Sequence, residues 1–207
     1  YDKKISLIYD GVLSYKPSPS LLDCLVKYNK KRIDIDKYSL DDIWVEQNLI
    51  KKDYDNLNSF FWLFSLDLKS SKKETQNIIS KWIDKNNKYN SKSWEMDIMS
   101  KRIIAWISNS QLTYEEGGVV YRNKFNNIIK KQINHLINEI KKSNDYHNKL
   151  IGCTAIILTG LTYKDQKYLT YGLSLLEKII NFSFDSKGFP KSRNLRQLIF
   201  YLKYFVL

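Results

Sequence analysis

Arg102-Ile103-Ile104-Ala105-Trp106-Ile107, with Phe60-Phe61-Trp62-Leu63-Phe64 upstream, is the stretch on which the fold turns. Neither segment alternates polar and apolar, and both carry indole rings that need deep packing between neighbouring elements. Five tryptophans (Trp44, Trp62, Trp82, Trp94 and Trp106) fall in the first half of the chain. Around them the apolar spacing is helical. Leu57, Phe60, Phe61, Phe64 and Leu68 follow the i, i+3, i+4 rule from about residue 54. Ser71-Lys72-Lys73-Glu74 reads as a capping box for a helix that buries Ile78, Ile79, Trp82 and Ile83. Ser93 reads as the cap of the next, with Met96, Met99, Ile103, Trp106 and Ile107 inward.

Gly117-Gly118 breaks the chain, and a long helix follows through Phe125, Ile128, Ile129, Ile133, Leu136, Ile137 and Ile140. Two more carry Leu150, Thr154, Ile157, Leu158 and Leu161, then Leu169, Leu173, Leu176, Ile179 and Ile180. Asp185-Ser186-Lys187-Gly188 makes a turn. A last helix opens near Asn194 and buries Leu195, Leu198, Leu202 and Phe205. Short links force successive helices to run antiparallel. No fixed repeat at 34 or 40 residues is visible, which disfavours a regular solenoid. The expectation is a mainly α fold, an incomplete α/α toroid of antiparallel helical hairpins over 46–207. Residues 1–45 form an irregular N-terminal segment with a short β-hairpin at Asp10-Gly11.

Composition agrees. The 207 residues include 43% hydrophobic and 14% aromatic residues, enough for a thick core. Seven Gly and three Pro are too few for a many-stranded sandwich. The formal charge of +12 suits an acidic partner, but five arginines against a large excess of scattered lysines also describe a solvated surface from an AT-rich genome. Cys24 and Cys153 follow no metal spacing; buried thiols are expected, with a disulfide as the alternative. No apolar run is long enough to span a bilayer. His135, beside Asn134 on a mostly polar face, reads as a solvated histidine and not a metal ligand, so no metal is expected. With no Gly-rich phosphate loop or nucleophile elbow, no cofactor is expected either. The chain opens at Tyr1 without a methionine and ends in an uncapped apolar run, so both ends read as cut.

In order, four stretches resemble the heparinase II/III family of polysaccharide lyases. Asn58 to Leu66 resembles its early helix with an F-x-W-L-x-x-L core, and Ser100 to Trp106 its S-x-R-I-x-x-W helix. Tyr146 to Leu161 is similar to N-H-L-L-x-N-x-x-A-L-x-x-A-G-L, and Asp185 to Leu198 to the D-G-x-H-x-x-R-S/N-P turn. The resemblance implies a bacterial protein, periplasmic or cytoplasmic, with an N-terminal α/α toroid followed by a β-sandwich domain, here missing. It implies cleavage of an acidic, uronate-containing polysaccharide by β-elimination. That reaction needs a group to neutralise the uronate carboxylate, a base for the C5 proton and an acid for the departing oxygen.

Carried across residue by residue, His147-Asn148 stands where the family has Asn-His, as neutraliser or, on the plainer reading, as helix cap. Arg193 stands at the family arginine, binding substrate or held in a structural ion pair. The family's catalytic Tyr position is occupied by Gln197, which leaves a place in substrate binding but no acid–base role. Tyr201, one turn on, substitutes for that tyrosine or simply packs. Leu195 replaces the motif proline. The isolated chain is therefore expected to be inactive. The alternative is a non-catalytic basic helical scaffold binding protein or nucleic acid; the scarcity of arginine and the lack of a recognition helix weigh against nucleic acid.

Overall fold

A computed structural model describes residues 50–66 and 72–207. The expected β-hairpin, Trp44, Cys24, Leu68 and the Ser71 cap lie outside the described residues. Within them the protein is mainly helical, with eight α-helices and no strand. These are α1 (Lys51–Asn58), α2 (Lys72–Asn86), α3 (Met96–Ser108), α4 (Ser110–Thr113), α5 (Val119–Lys142), α6 (Tyr146–Thr162), α7 (Gln166–Ser183) and α8 (Leu195–Phe205).

The first aromatic stretch departs from the expected continuous helix. Phe60 takes a left-handed backbone (φ 55°), ending α1, and Phe61–Ser65 form a 3-10 helix. The bend lets all of Phe60 to Phe64 turn inward and become buried. Phe60, Trp82 and Trp106 meet edge to face, with centroids 6.0, 5.1 and 5.5 Å apart. Each such pair adds about 1 kcal/mol beyond its burial. Trp82 donates its indole N–H to Asn58 Oδ1 (2.9 Å), and Trp94 to the Asn86 carbonyl (3.1 Å).

Helix α3 is buried nearly all round, polar Ser100, Arg102 and Ser108 included, because α1, the 3-10 turn, α5 and α6 all pack on it. Its start differs from the expectation. Ser93 does not cap it: Glu95 precedes the helix without a side-chain cap, and the buried Ser93 offers its carbonyl to Arg102 instead.

Helix α6 packs against α3, α5 and α8, with α7 lying along it as an antiparallel hairpin partner. The register is set by close approaches. A Cβ on Gly160 would lie 2.7 Å from the Leu169 backbone nitrogen, and one on Gly172 2.5 Å from Ile157. At the other end of the hairpin Tyr146 stacks on Phe182 (3.8 Å, 4°). Between them, Cys153 is a buried thiol donating to the Gly172 carbonyl (3.2 Å), and burial pushes its pKa up to about 12.

Two expected stripes are corrected. In α7 the buried positions are Tyr168, Gly172, Ile179 and Ser183, while Leu173 and Ile180 are exposed. In α8 the buried residues are Tyr201 and Tyr204, and Leu195, Leu202 and Phe205 face outward. Periodicity locates an apolar face; it does not say that something covers it.

Candidate functional site

The expected site residues come from the start of α6 and from the α7–α8 turn with the helix it opens. At α6 the cap is Asp145, whose Oδ1 accepts from the backbone N–H of His147 (2.9 Å) and Asn148 (3.3 Å). His147 and Asn148 are thus not caps but first-turn residues. The His147 side chain is exposed and its ring lies 4.9 Å from that of Phe200 on α8. Contact with α8 is therefore made next to Tyr201.

The turn is organised by Asp185. Its Oδ1 accepts from the N–H groups of Lys187 and Phe189 (both 3.0 Å), and Gly188 supplies the positive φ of 78° that the reversal needs. Asp185 Oδ2 also meets Arg193 Nη2 at 2.8 Å. The Phe189 N–H first, then the Lys187 N–H and the guanidinium, hold the carboxyl below the usual carboxylate range. Arg193 itself is left-handed (φ 55°), with its guanidinium 5.7 Å from the Phe189 ring. The structural ion pair is thus present, on a side chain that remains largely exposed.

From Arg193 the chain enters α8, capped by Asn194, whose Oδ1 accepts from the Arg196 N–H. A polar line runs inward. Ser192 Oγ bonds Gln197 Oε1, Gln197 Nε2 donates to the Tyr201 hydroxyl (3.4 Å), and that hydroxyl donates to Ser183 Oγ (2.7 Å). Gln197 and Tyr201 do face the same side, as their spacing requires. But Tyr201 is only 1% exposed, and its proton points into the protein at Ser183. In this arrangement the hydroxyl is enclosed within the packing between α7 and α8.

The structure therefore brings His147 to α8 and joins Gln197 to Tyr201, while Arg193 is held by Asp185 and Phe189 and not by His147. Sequence reasoning missed three supporting residues. Asp145 was legible as an Asp before a helical run; Asp185 was seen only as a turn former, and Ser183 carried no signal. A described hollow of about 560 Å³ lies elsewhere, lined by Gln166, Lys167, Thr170, Tyr171 and Ser174 on the first half of α7. Because α6 and α7 are antiparallel, that is the end of the hairpin away from His147.

Two buried polar residues outside this region are structural. Arg102 is 0% exposed and gives Nη1 to the Asn58 carbonyl (2.8 Å), Nη2 to the Ser93 carbonyl (2.9 Å) and Nε to Gln132 Oε1 (3.3 Å), with its guanidinium 4.0 Å from the Trp82 ring centre. Burial pushes it down to about 9, which leaves it charged at neutral pH. His135 corrects an expectation: it is buried, with Tyr89 and Trp94 rings at 5.1 and 5.5 Å, not solvated. Side chains project inward from α5 at this point because the 87–95 turn folds over it. Among the described residues no three His, Cys, Asp or Glu side chains gather as a metal-binding group, and no helix is long and apolar enough to cross a membrane.

Comparison with family models, characterised proteins and solved structures gives no match to this chain.

Proposed function

We propose that this chain is the helical, toroid-type domain of a heparinase II/III-like polysaccharide lyase, binding an acidic polysaccharide but not cleaving it unaided. The observation that carries the reading is the contact between the first turn of α6 and α8. It sets the exposed His147 beside the helix that holds Gln197 and Tyr201, with the exposed Arg193 on the turn entering that helix. The antiparallel α6–α7 hairpin, packed against α3, α5 and α8, supports a stack of helical hairpins. Uronate carboxylates would be held by Arg193 and by a ring N–H of His147, with Gln197 as a neutral hydrogen-bonding group.

Two observations support inactivity of the isolated chain. The Gln197 amide is neither a usable acid nor a usable base, and the Tyr201 hydroxyl is buried and already donating to Ser183. Elimination then depends on a further domain supplying the acid–base groups, as the resemblance implies. The test mixes purified chain with heparan sulfate or alginate. No rise in absorbance near 235 nm is expected from unsaturated product, while affinity electrophoresis shows retardation that Arg193→Gln weakens several-fold. Product formation would refute the inactivity. Equal retardation by nucleic acid, unaffected by Arg193→Gln, would favour the basic scaffold instead.

A further inference from the structure

Helix α8 is built with its aliphatic side outward. At 100° per residue, Leu195, Ile199, Leu202 and Val206 fall within about 60° of one another on the helix end-view. All four are exposed, Leu195 at 75% and Ile199 at 64%, with Phe205 exposed at the border of the stripe. The side turned to the protein carries Tyr201 and Tyr204 instead, the latter near the Thr154 hydroxyl of α6. A helix this short does not leave four aliphatic side chains in water on one line by composition alone.

Charge says what suits the stripe. From Lys178 to Leu207 the chain holds Lys178, Lys187, Lys191, Arg193, Arg196 and Lys203 against a single acid, Asp185, which is already paired with Arg193. The exposed Arg196 falls along one edge of the stripe, about 100° from Leu195, while Lys203 on the same edge turns its ammonium back over the Phe61 ring (4.9 Å). Shape narrows the choice further. Leu195 and Ile199 stand out most, at 75% and 64% exposed, and Leu202 and Val206 less, at 47% and 42%; the stripe is a ridge that falls toward the helix end, and it offers no trough for a partner helix. A second copy of the chain would set one basic edge against another with no acid between them. An apolar ridge with a cationic edge fits an anionic lipid surface, where aliphatic groups enter the acyl boundary and Arg and Lys meet the headgroups.

We propose that α8 docks the protein peripherally on anionic membranes, with Leu195, Ile199, Leu202 and Val206 inserted and Arg196 at the headgroups. This surface is the side of α8 away from Tyr201, so the inference stands independently of the glycan reading.

The experiment is vesicle co-sedimentation of the whole chain. Phosphatidylcholine vesicles with and without about a third phosphatidylserine are compared at low and high salt. Binding is expected only with phosphatidylserine, falling at high salt. A chain carrying Leu195→Ser, Ile199→Ser and Leu202→Ser should lose at least tenfold in partitioning while keeping its far-UV circular dichroism and melting temperature, since these side chains are exposed. Arg196→Glu with Lys191→Glu, also exposed, should weaken binding several-fold and serves as the second arm. Equal binding to neutral vesicles, or unchanged binding by the triple-serine chain, would overturn the proposal. So would absence of vesicle binding together with a dimer in light scattering that the serine changes dissolve, which would assign the ridge to a second copy.

Discussion

Arg102 shows why one residue can be indispensable to packing without touching a ligand. Its planar fork satisfies carbonyls at the end of α1 and in the 87–95 turn and an amide on α5, while its face lies on Trp82. Lysine keeps the charge but not the geometry. Arg102→Lys leaves at least one buried acceptor without a donor and should cost about 2 kcal/mol in urea unfolding; an unchanged midpoint would show that the three contacts matter little. His135 adds a pH dependence. Burial lowers its pKa, with Glu139 opposing and Lys142 adding to the effect. The fold therefore prefers the neutral ring. Its contribution is complete above the unfolded value of about 6.5 and is lost as pH falls from there toward the lower folded value. The stability difference between pH 7.5 and 5 should shrink in His135→Gln; an identical difference in both proteins would assign it to other groups.

Among the elements, the α6–α7 hairpin is set by glycines as much as by its aliphatic face. Gly160→Ala puts a methyl against the Leu169 backbone, which cannot rotate away as a side chain can, so the helices must part. The expected loss is about 1–3 kcal/mol. Gly118→Ala, where nothing lies within 4 Å, is the control and should change the melting temperature little. If the two variants melt alike, close approach at residue 160 is not limiting. Helix α8 shows the opposite situation. Its aliphatic pattern was plain in the sequence, but the side it buries is the tyrosine side. The α1 boundary likewise escaped prediction, because a left-handed phenylalanine carries no sequence mark.

Across the whole molecule, burial is uneven. Helices α3 and α6 are enclosed by neighbours, whereas α8 fully buries only two tyrosines and leaves five of its eleven residues exposed. Amide hydrogen exchange should therefore be slowest in α3 and α6, and α8 should exchange by local opening well before global unfolding. Protection in α8 equal to that of α6 would mean that something covers its outer ridge in solution. The same measurement on anionic vesicles should slow α8 alone.

The sequence by itself determined the helical class, the presence of the long helices α5, α6 and α7, the start of α8 near Asn194, and the burial of Trp82, Trp94 and Trp106. Those properties follow from local signals: periodicity, capping side chains, and the area an indole must hide. Only the tertiary structure decided which apolar faces are covered, that His135 is enclosed, that Asp185 holds Arg193, and that the Tyr201 hydroxyl is spent on Ser183. Each of these depends on partners distant in the chain or on a neighbour's absence, and spacing within one helix contains no information about what stands opposite it.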